Sequence, residues 1–204
     1  MRQFLPKKKP TLKQVLPYIF VIAGIIGCVA SFALTYDKIQ VLKNPAYRPS
    51  CNISPILSCG SVMKTEQASV LGVPNTIFGL MGFSALATLG VTLLAGATFR
   101  RWLWRTINVA ALAGFCFFVY LFFEGVYRID AICPYCFIVW MIVPPVLWYT
   151  TLYNLDEGNL KLGFIPARIK SWVRGHHGDV LLVWYLFIFT LLLTHFWYYW
   201  KTVL

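Results

Sequence analysis

Five long apolar runs, separated by short polar segments, dominate the chain: Leu16 to Tyr36, Pro74 to Ala97, Leu103 to Glu124, Ala131 to Tyr153 and Val180 to Trp200. A bilayer core about 30 Å thick takes about 20 helical residues, so each run predicts a membrane-crossing helix. The first run exceeds the roughly 7–15 apolar residues of a signal peptide, and no small-residue cleavage site follows it. It is expected to stay as an anchor. The pattern predicts an all-α membrane protein, a single integral membrane domain over 1–204, with four helices in 1–153, a connection at 154–179 and a fifth helix in 180–204. Within the connection Ile165, Ile169, Trp172 and Val173 recur at helical spacing among Arg168, Lys170 and Arg174. They suggest either a short amphipathic helix on an anionic leaflet or a solvated loop.

Composition agrees with this picture. Hydrophobic residues make up 59% of the 204 and charged residues only 12%, more apolar than the roughly 45–50% of soluble domains. With 17% aromatics, the composition suits neither a disordered chain nor a nucleic-acid binder. The net charge of +11 serves to orient the chain. Arg2, Lys7, Lys8, Lys9, Lys13, Arg100, Arg101, Arg105, Lys161, Arg168, Lys170 and Arg174 fall on one side, against Lys38, Lys43, Arg48, Lys64, Arg128 and Lys201 on the other. The positive-inside rule then places the N-terminus in the cytoplasm and the C-terminus outside. The run His195 to Trp200 reads as an interfacial aromatic belt, with His195 an interfacial residue.

Orientation turns the six cysteines into chemistry. Cys51 and Cys59 lie in the first outer loop, and Cys133 and Cys136 open the fourth span, all on the oxidising side. Cys28 and Cys116 sit mid-span and are expected to be buried small hydrophobes. Cys133-Pro134-Tyr135-Cys136 places two sulfurs on one helix face at a helix N-terminus, where the dipole favours thiolate. Trp140 follows on the same stripe as an aromatic wall one turn deeper. A soluble glutaredoxin would need a βαβ context that is absent, and Cys51-x₇-Cys59 lacks zinc-ligand spacing. Two inert structural disulfides remain open. An electron relay fits better: a loop disulfide can meet soluble thiols, a Cys-x-x-Cys at a membrane helix can meet a lipid-soluble quinone, and thiol–disulfide exchange joins them. Glu66 and Asp37 are expected to be solvated interfacial charges rather than proton relays, and Arg128 and Asp130 to shape the short loop before Cys133.

Cys51-x₇-Cys59, then Thr65, then Pro74-Asn75-Thr76-Ile77-Phe78-Gly79, then Cys133-Pro-Tyr-Cys136 together resemble the vitamin K epoxide reductase family over roughly residues 15 to 153. The resemblance implies a four-helix bundle around a quinone pocket, capped by the loop that carries Cys51 and Cys59. It implies that Cys136 is the thiol that forms an adduct with quinone, that Cys133 is its partner and exchanges with Cys59, and that Cys51 accepts electrons from an external dithiol. Thr65 would hold the loop or the reactive cysteine, Asn75 would hydrogen-bond a quinone oxygen, and Phe78 would line the pocket. Read from the residues alone, Asn75 also serves as a cap beside Pro74.

Two departures shape the expected activity. Relatives of the human epoxide reductase carry a tyrosine four residues beyond the second cysteine, where this chain has Trp140, so the hydroxyl is lost. Many bacterial members continue from a fifth helix into a thioredoxin-like domain, whereas this chain stops four residues after Trp200. The expectation is a bacterial oxidoreductase of the plasma membrane that reoxidises a separate, secreted thioredoxin-like oxidant and reduces menaquinone or ubiquinone from the membrane pool. A vitamin K epoxide or quinone reductase of the endoplasmic reticulum is one rival, and Asn52-Ile53-Ser54 would be a glycosylation sequon only there. The other is a non-enzymatic scaffold whose cysteines clip its loops.

Overall fold

The computed structural model describes residues 11–44, 46–54, 56–160, 168, 172–173 and 175–203. A capping box between Thr11 and Gln14 starts α1, Leu12–Lys43, satisfying helix N–H groups that have no intrahelical acceptor. After the loop come a short α2, Cys59–Met63, and a 3₁₀ turn, Glu66–Ser69. Five more helices occupy the four remaining predicted spans: α3 is Asn75–Leu94, α4 Arg101–Tyr127, α5 Pro134–Asp156, α6 His177–His195 and α7 Trp197–Val203. Five of these, α1, α3, α4, α5 and α6, are long and apolar enough to cross a membrane. The protein is a multi-pass helical membrane protein.

The expected fifth span breaks earlier than its hydropathy suggests. Phe196 leaves the helix and turns inward, almost fully buried against Phe122, Val126 and Ile132. His195 meets the Asp130 carboxylate at 2.7 Å and packs edge-on to Tyr127, which ties the end of α6 to the short loop before Cys133. Of the amphipathic pattern in the connection, Ile165 and Ile169 lie outside the described residues, while Trp172 and Val173 are helical.

The bundle packs in layers. At one end Leu16, Phe20 and Ala23 of α1 meet Trp104 and Ile107 of α4 and Val146 and Tyr153 of α5. Midway, Phe83 of α3 reaches Ala30, Val139 and Val143. At the opposite end Leu34 meets Cys51, Cys59, Met63 and Cys133. Because lipid tails are as apolar as leucine, helices in a membrane associate through close packing and interhelical hydrogen bonds. The α1–α3 seam uses both. A Cβ at Gly24 would stand 2.6 Å from the Ala87 backbone nitrogen, and Thr35 Oγ1 donates to Thr76 Oγ1 at 2.8 Å.

Helix α5 carries Pro144 and Pro145 in its interior, where a proline removes the hydrogen bond to the carbonyl four residues earlier. The carbonyl that Pro145 leaves unpaired is Met141, and Tyr185 of α6 donates its hydroxyl to that oxygen at 2.6 Å. The fifth spanning helix thus completes the backbone bonding of the fourth, where no water is at hand.

Unfolding midpoints in detergent test both seams. Gly24→Ala is expected to cost about 1–3 kcal/mol by overpacking. Gly82→Ala, which meets nothing within 4 Å, should be neutral or stabilising by up to about 1 kcal/mol. Tyr185→Phe should cost about 1–3 kcal/mol by orphaning the Met141 carbonyl.

Candidate active site

Three short-range devices bring the four cysteines together. Ser58 caps α2, its hydroxyl accepting from Ser61 N–H at 3.2 Å, so Cys59 sits at the first position of a helical turn. Asn52 Oδ1 accepts from Gly60 N–H at 2.9 Å and from the Ser58 hydroxyl at 3.2 Å. Gly60 has to be small, since a Cβ there would lie 2.9 Å from the Asn52 amide nitrogen. The loop is then clamped to the segment before α5: Ile132 N–H donates to Ile56 C=O at 2.7 Å and Ser58 N–H donates to Ile132 C=O at 3.1 Å, an isolated parallel bridge between Leu57 and Ile132.

The clamp sets the sulfur geometry. Cys51 and Cys59 are joined as a disulfide, and Cys133 and Cys136 are free thiols. Cys133 Sγ stands 3.1 Å from Cys59 Sγ, within the roughly 3–3.5 Å of a near-attack arrangement. Cys59 and Cys133 are 0% and 2% exposed, and Cys51 6%. The disulfide is therefore sealed inside the end of the bundle rather than presented on an open loop, because its anchoring hydrogen bonds pull it beneath Leu34 and Met63.

Cys133 is the N-cap of α5, with Pro134 in the first helical position, where a fixed φ and a missing N–H cost nothing. A hydrogen bond from the Cys136 thiol lowers the Cys133 pKa below that of an ordinary thiol. Burial opposes this, and the backbone N–H groups of Cys136 and Tyr135 add to the lowering. Of the two free thiols, Cys133 is the one held against the loop disulfide, and its thiolate is the more readily formed.

The other sequence-predicted residues divide. Thr65 donates its hydroxyl to the Val62 carbonyl at 2.8 Å, closing the end of α2 behind the cysteines. Asn75 ties down the loop, with Nδ2 donating to Gln67 C=O at 2.6 Å and Oδ1 accepting from Val70 N–H at 3.1 Å. Phe78 is 41% exposed on α3. Trp140 packs edge-on to Phe122 at 4.8 Å, one turn along α5 from Cys136. Its indole N–H is buried and has no hydrogen-bond partner. Beside it a narrow apolar crevice of about 50 Å³ runs between α4, α5 and α6, lined by Phe118, Phe122, Trp140, Val143, Trp184 and Ile188.

Some expectations change. Asp37 is buried, at 5% exposure, beside the loop disulfide, whereas Glu66 is solvent-exposed. Arg128 pairs with a largely buried Glu124 at 3.1 Å, and Asp130 takes a positive φ of 55° in the loop before Cys133. Cys28 is half-buried, 3.2 Å from the Ser84 hydroxyl, and Cys116 is exposed on α4 rather than buried in the bundle. Among the described residues no cluster of three or more His, Cys, Asp or Glu could hold a metal ion. Asn52, Ser58 and Asp37 carry positions that sequence reasoning did not assign. The Ser58-x-x-Ser61 spacing is a capping signal, and Asp37 is a carboxylate within one turn of an apolar span, itself a pointer to function.

The pattern of the vitamin K epoxide reductase family matches residues 18–151, which run from early in α1 through most of α5 and contain all four clustered cysteines. The chain belongs to the vitamin K epoxide reductase family. None of the curated proteins matches it significantly. Members of this family are oxidoreductases that generally use a quinone or vitamin K, and this chain is a membrane redox protein of that family with a disulfide-forming cysteine pair.

The sulfur geometry makes a direct prediction. Replacing Cys51 and Cys136 together by Ala leaves Cys59 and Cys133 to oxidise to each other, giving one crosslinked loop–helix peptide in a non-reducing digest. Crosslinks to Cys28, or between molecules, would contradict the placement of the loop.

Proposed function

We propose that the chain is a quinone-dependent oxidase of protein thiols in a bacterial plasma membrane, with its cysteine end on the outer side. The observation that carries this is the 3.1 Å approach of Cys133 to one sulfur of the Cys51–Cys59 disulfide, an exchange-competent contact between two redox pairs. A thiolate of a separate, secreted thioredoxin-like protein attacks Cys51, and Cys59 leaves with the electron pair. Cys59 then attacks Cys133 of an oxidised Cys133–Cys136 pair and releases Cys136 as thiolate. The partner's second thiol frees Cys51 and departs with its own disulfide. Cys51 in turn attacks Cys59, which releases Cys133, and the loop disulfide reforms beside a reduced Cys133–Cys136 dithiol. This last state is the one described above. Because Cys51 is buried, the partner's thiol reaches it only when the segment before it lifts.

The residues around Cys136 fit a quinone. The unpartnered indole N–H of Trp140 is a donor in search of an acceptor such as a ring carbonyl, and Phe122 and Phe137 flank it. A bound menaquinone or ubiquinone supplies a two-electron, two-proton acceptor held in the lipid phase. Asn75 would join it only by giving up its bonds to the loop, so Trp140 is the better-placed donor. Trp140 lacks a phenolic hydroxyl, which favours thiol oxidation over epoxide reduction.

Anaerobic mixing of the purified protein with a reduced thioredoxin-like protein and a naphthoquinone or benzoquinone should bleach the quinone absorbance. Cys136→Ala should reduce this to the uncatalysed rate, with at most one equivalent of the partner oxidised, at the expense of the loop disulfide. Absence of quinone loss with both ring types would remove this function.

A further inference from the structure

Asp37 has no ordinary structural explanation. It lies on the last turns of α1, is 5% exposed, and no cation pairs with it among the described residues. Its neighbour Lys38 turns instead to the Met63 carbonyl of α2. One carboxylate oxygen accepts from the Tyr47 hydroxyl at 2.9 Å, a bond that raises the Tyr47 pKa. The other, Oδ2, stands 3.8 Å from Cys51 Sγ. In the disulfide that sulfur carries no hydrogen, so the contact is not a hydrogen bond in this state. It becomes one when Cys51 is a thiol. The titratable groups facing Asp37 are Tyr47 and Cys51 from the loop and, across the sulfur cluster, Cys133, whose pKa its charge raises. Burying an unpaired carboxylate is costly, and an anchor for Tyr47 alone could be neutral.

We propose that Asp37 is the proton acceptor for Cys51, taking the Cys51 thiol proton as that sulfur attacks Cys59 and closes the loop disulfide. The proposal rests on the thiol-relay reading above. In this step the Cys51–Cys59 bond forms, the Cys59–Cys133 bond breaks, its electron pair stays on Cys133 as thiolate, and the Cys51 proton passes to Asp37 Oδ2. From there it is released to water on the cysteine side. The need for a base is plain: a thiol of ordinary pKa near 8.5 is only about 3% thiolate at pH 7, and burial lowers that fraction. Cys59 is expelled as a thiolate and spends that charge at once on Cys133. Cys51, when the partner's second thiol frees it, takes up that thiol's proton, so it must lose a proton before it can attack Cys59, and that is where the carboxylate lies.

The test is single-turnover transfer between the pairs in the full-length protein. The protein, oxidised at both pairs, is mixed with dithiothreitol at concentrations where the rate no longer depends on reductant. It is then acid-quenched, and the alkylation of Cys133 and Cys136 is followed by mass spectrometry from pH 6 to 8. The wild-type rate should be nearly level across this range. Asp37→Asn, which keeps an oxygen for Tyr47, should be about 100-fold slower at pH 7 and should rise about tenfold per pH unit, as solvent takes over deprotonation. Asp37→Glu should restore the level profile. Tyr47→Phe, which cuts the anchor and keeps the base, should stay level and within about threefold of wild type. A wild-type rate and profile in Asp37→Asn overturns the proposal, as does a Tyr47→Phe variant with a tenfold rise per pH unit. Failure of the wild type to reduce Cys133 and Cys136 at all would overturn the relay itself, a result separable from both.

Discussion

Two backbone hydrogen bonds, on either side of Leu57 and Ile132, decide what this molecule can do. They hold a loop against the entry to α5 so that Cys59 and Cys133 are neighbours across 74 residues of chain. Without this clamp the loop disulfide would be a clip and the Cys-Pro-Tyr-Cys motif a separate feature of a membrane helix. The clamp itself depends on local choices: Ser58 to start α2, Asn52 to accept from the Gly60 N–H, and Gly60 to leave Asn52 room. Each peptide group so paired also avoids the penalty of lying buried and unsatisfied.

The same accounting runs through the membrane-spanning part. Pro144 and Pro145 free carbonyls within a helix that has no water beside it, and Tyr185 comes from another helix to bond one of them. Asn154, fully buried in α5, donates to Trp104 C=O of α4 at 3.0 Å and accepts from Asn159, fastening the far end of the bundle. Apolar surface drives the chain into the bilayer. Polar satisfaction and close approach at small residues such as Gly24 then select one packing among the many that five greasy helices could adopt.

The burial of the loop disulfide has a functional consequence. A pair buried under Leu34 and Met63 is shielded from adventitious thiols, and in the proposed relay exchange between the two pairs takes place away from bulk water. There a local proton acceptor is faster than solvent. A lone carboxylate at Cys51 and helix N–H groups at Cys133 are two different answers to that need. The first accepts a proton and the second stabilises the charge left behind.

Much of this was readable in advance, for physical reasons that can be named. Hydropathy and length alone mark five spans, because the bilayer demands about 20 apolar residues whatever their packing. The four reactive cysteines stand out because thiol chemistry is confined to one residue type and because Cys133-Pro-Tyr-Cys136 opens a helix. Asp37, Asn75 and the end of α6 read differently once folded. Asp37 looked like a surface charge, since hydropathy does not register a loop folding back over it. Asn75 looked free for a ligand, yet the 3₁₀ turn supplies partners for its amide. Phe196 looked like one more interfacial ring, yet the core between α4, α5 and α6 offers it a place. By itself, then, the sequence determined the solvent of each segment and which thiols lie at one end of the spans, both properties of residues taken one window at a time. Which sulfurs meet, which carboxylate is buried against them and which helix mends the proline break in α5 were decided by tertiary structure alone, because each depends on contacts between segments that are far apart in the chain.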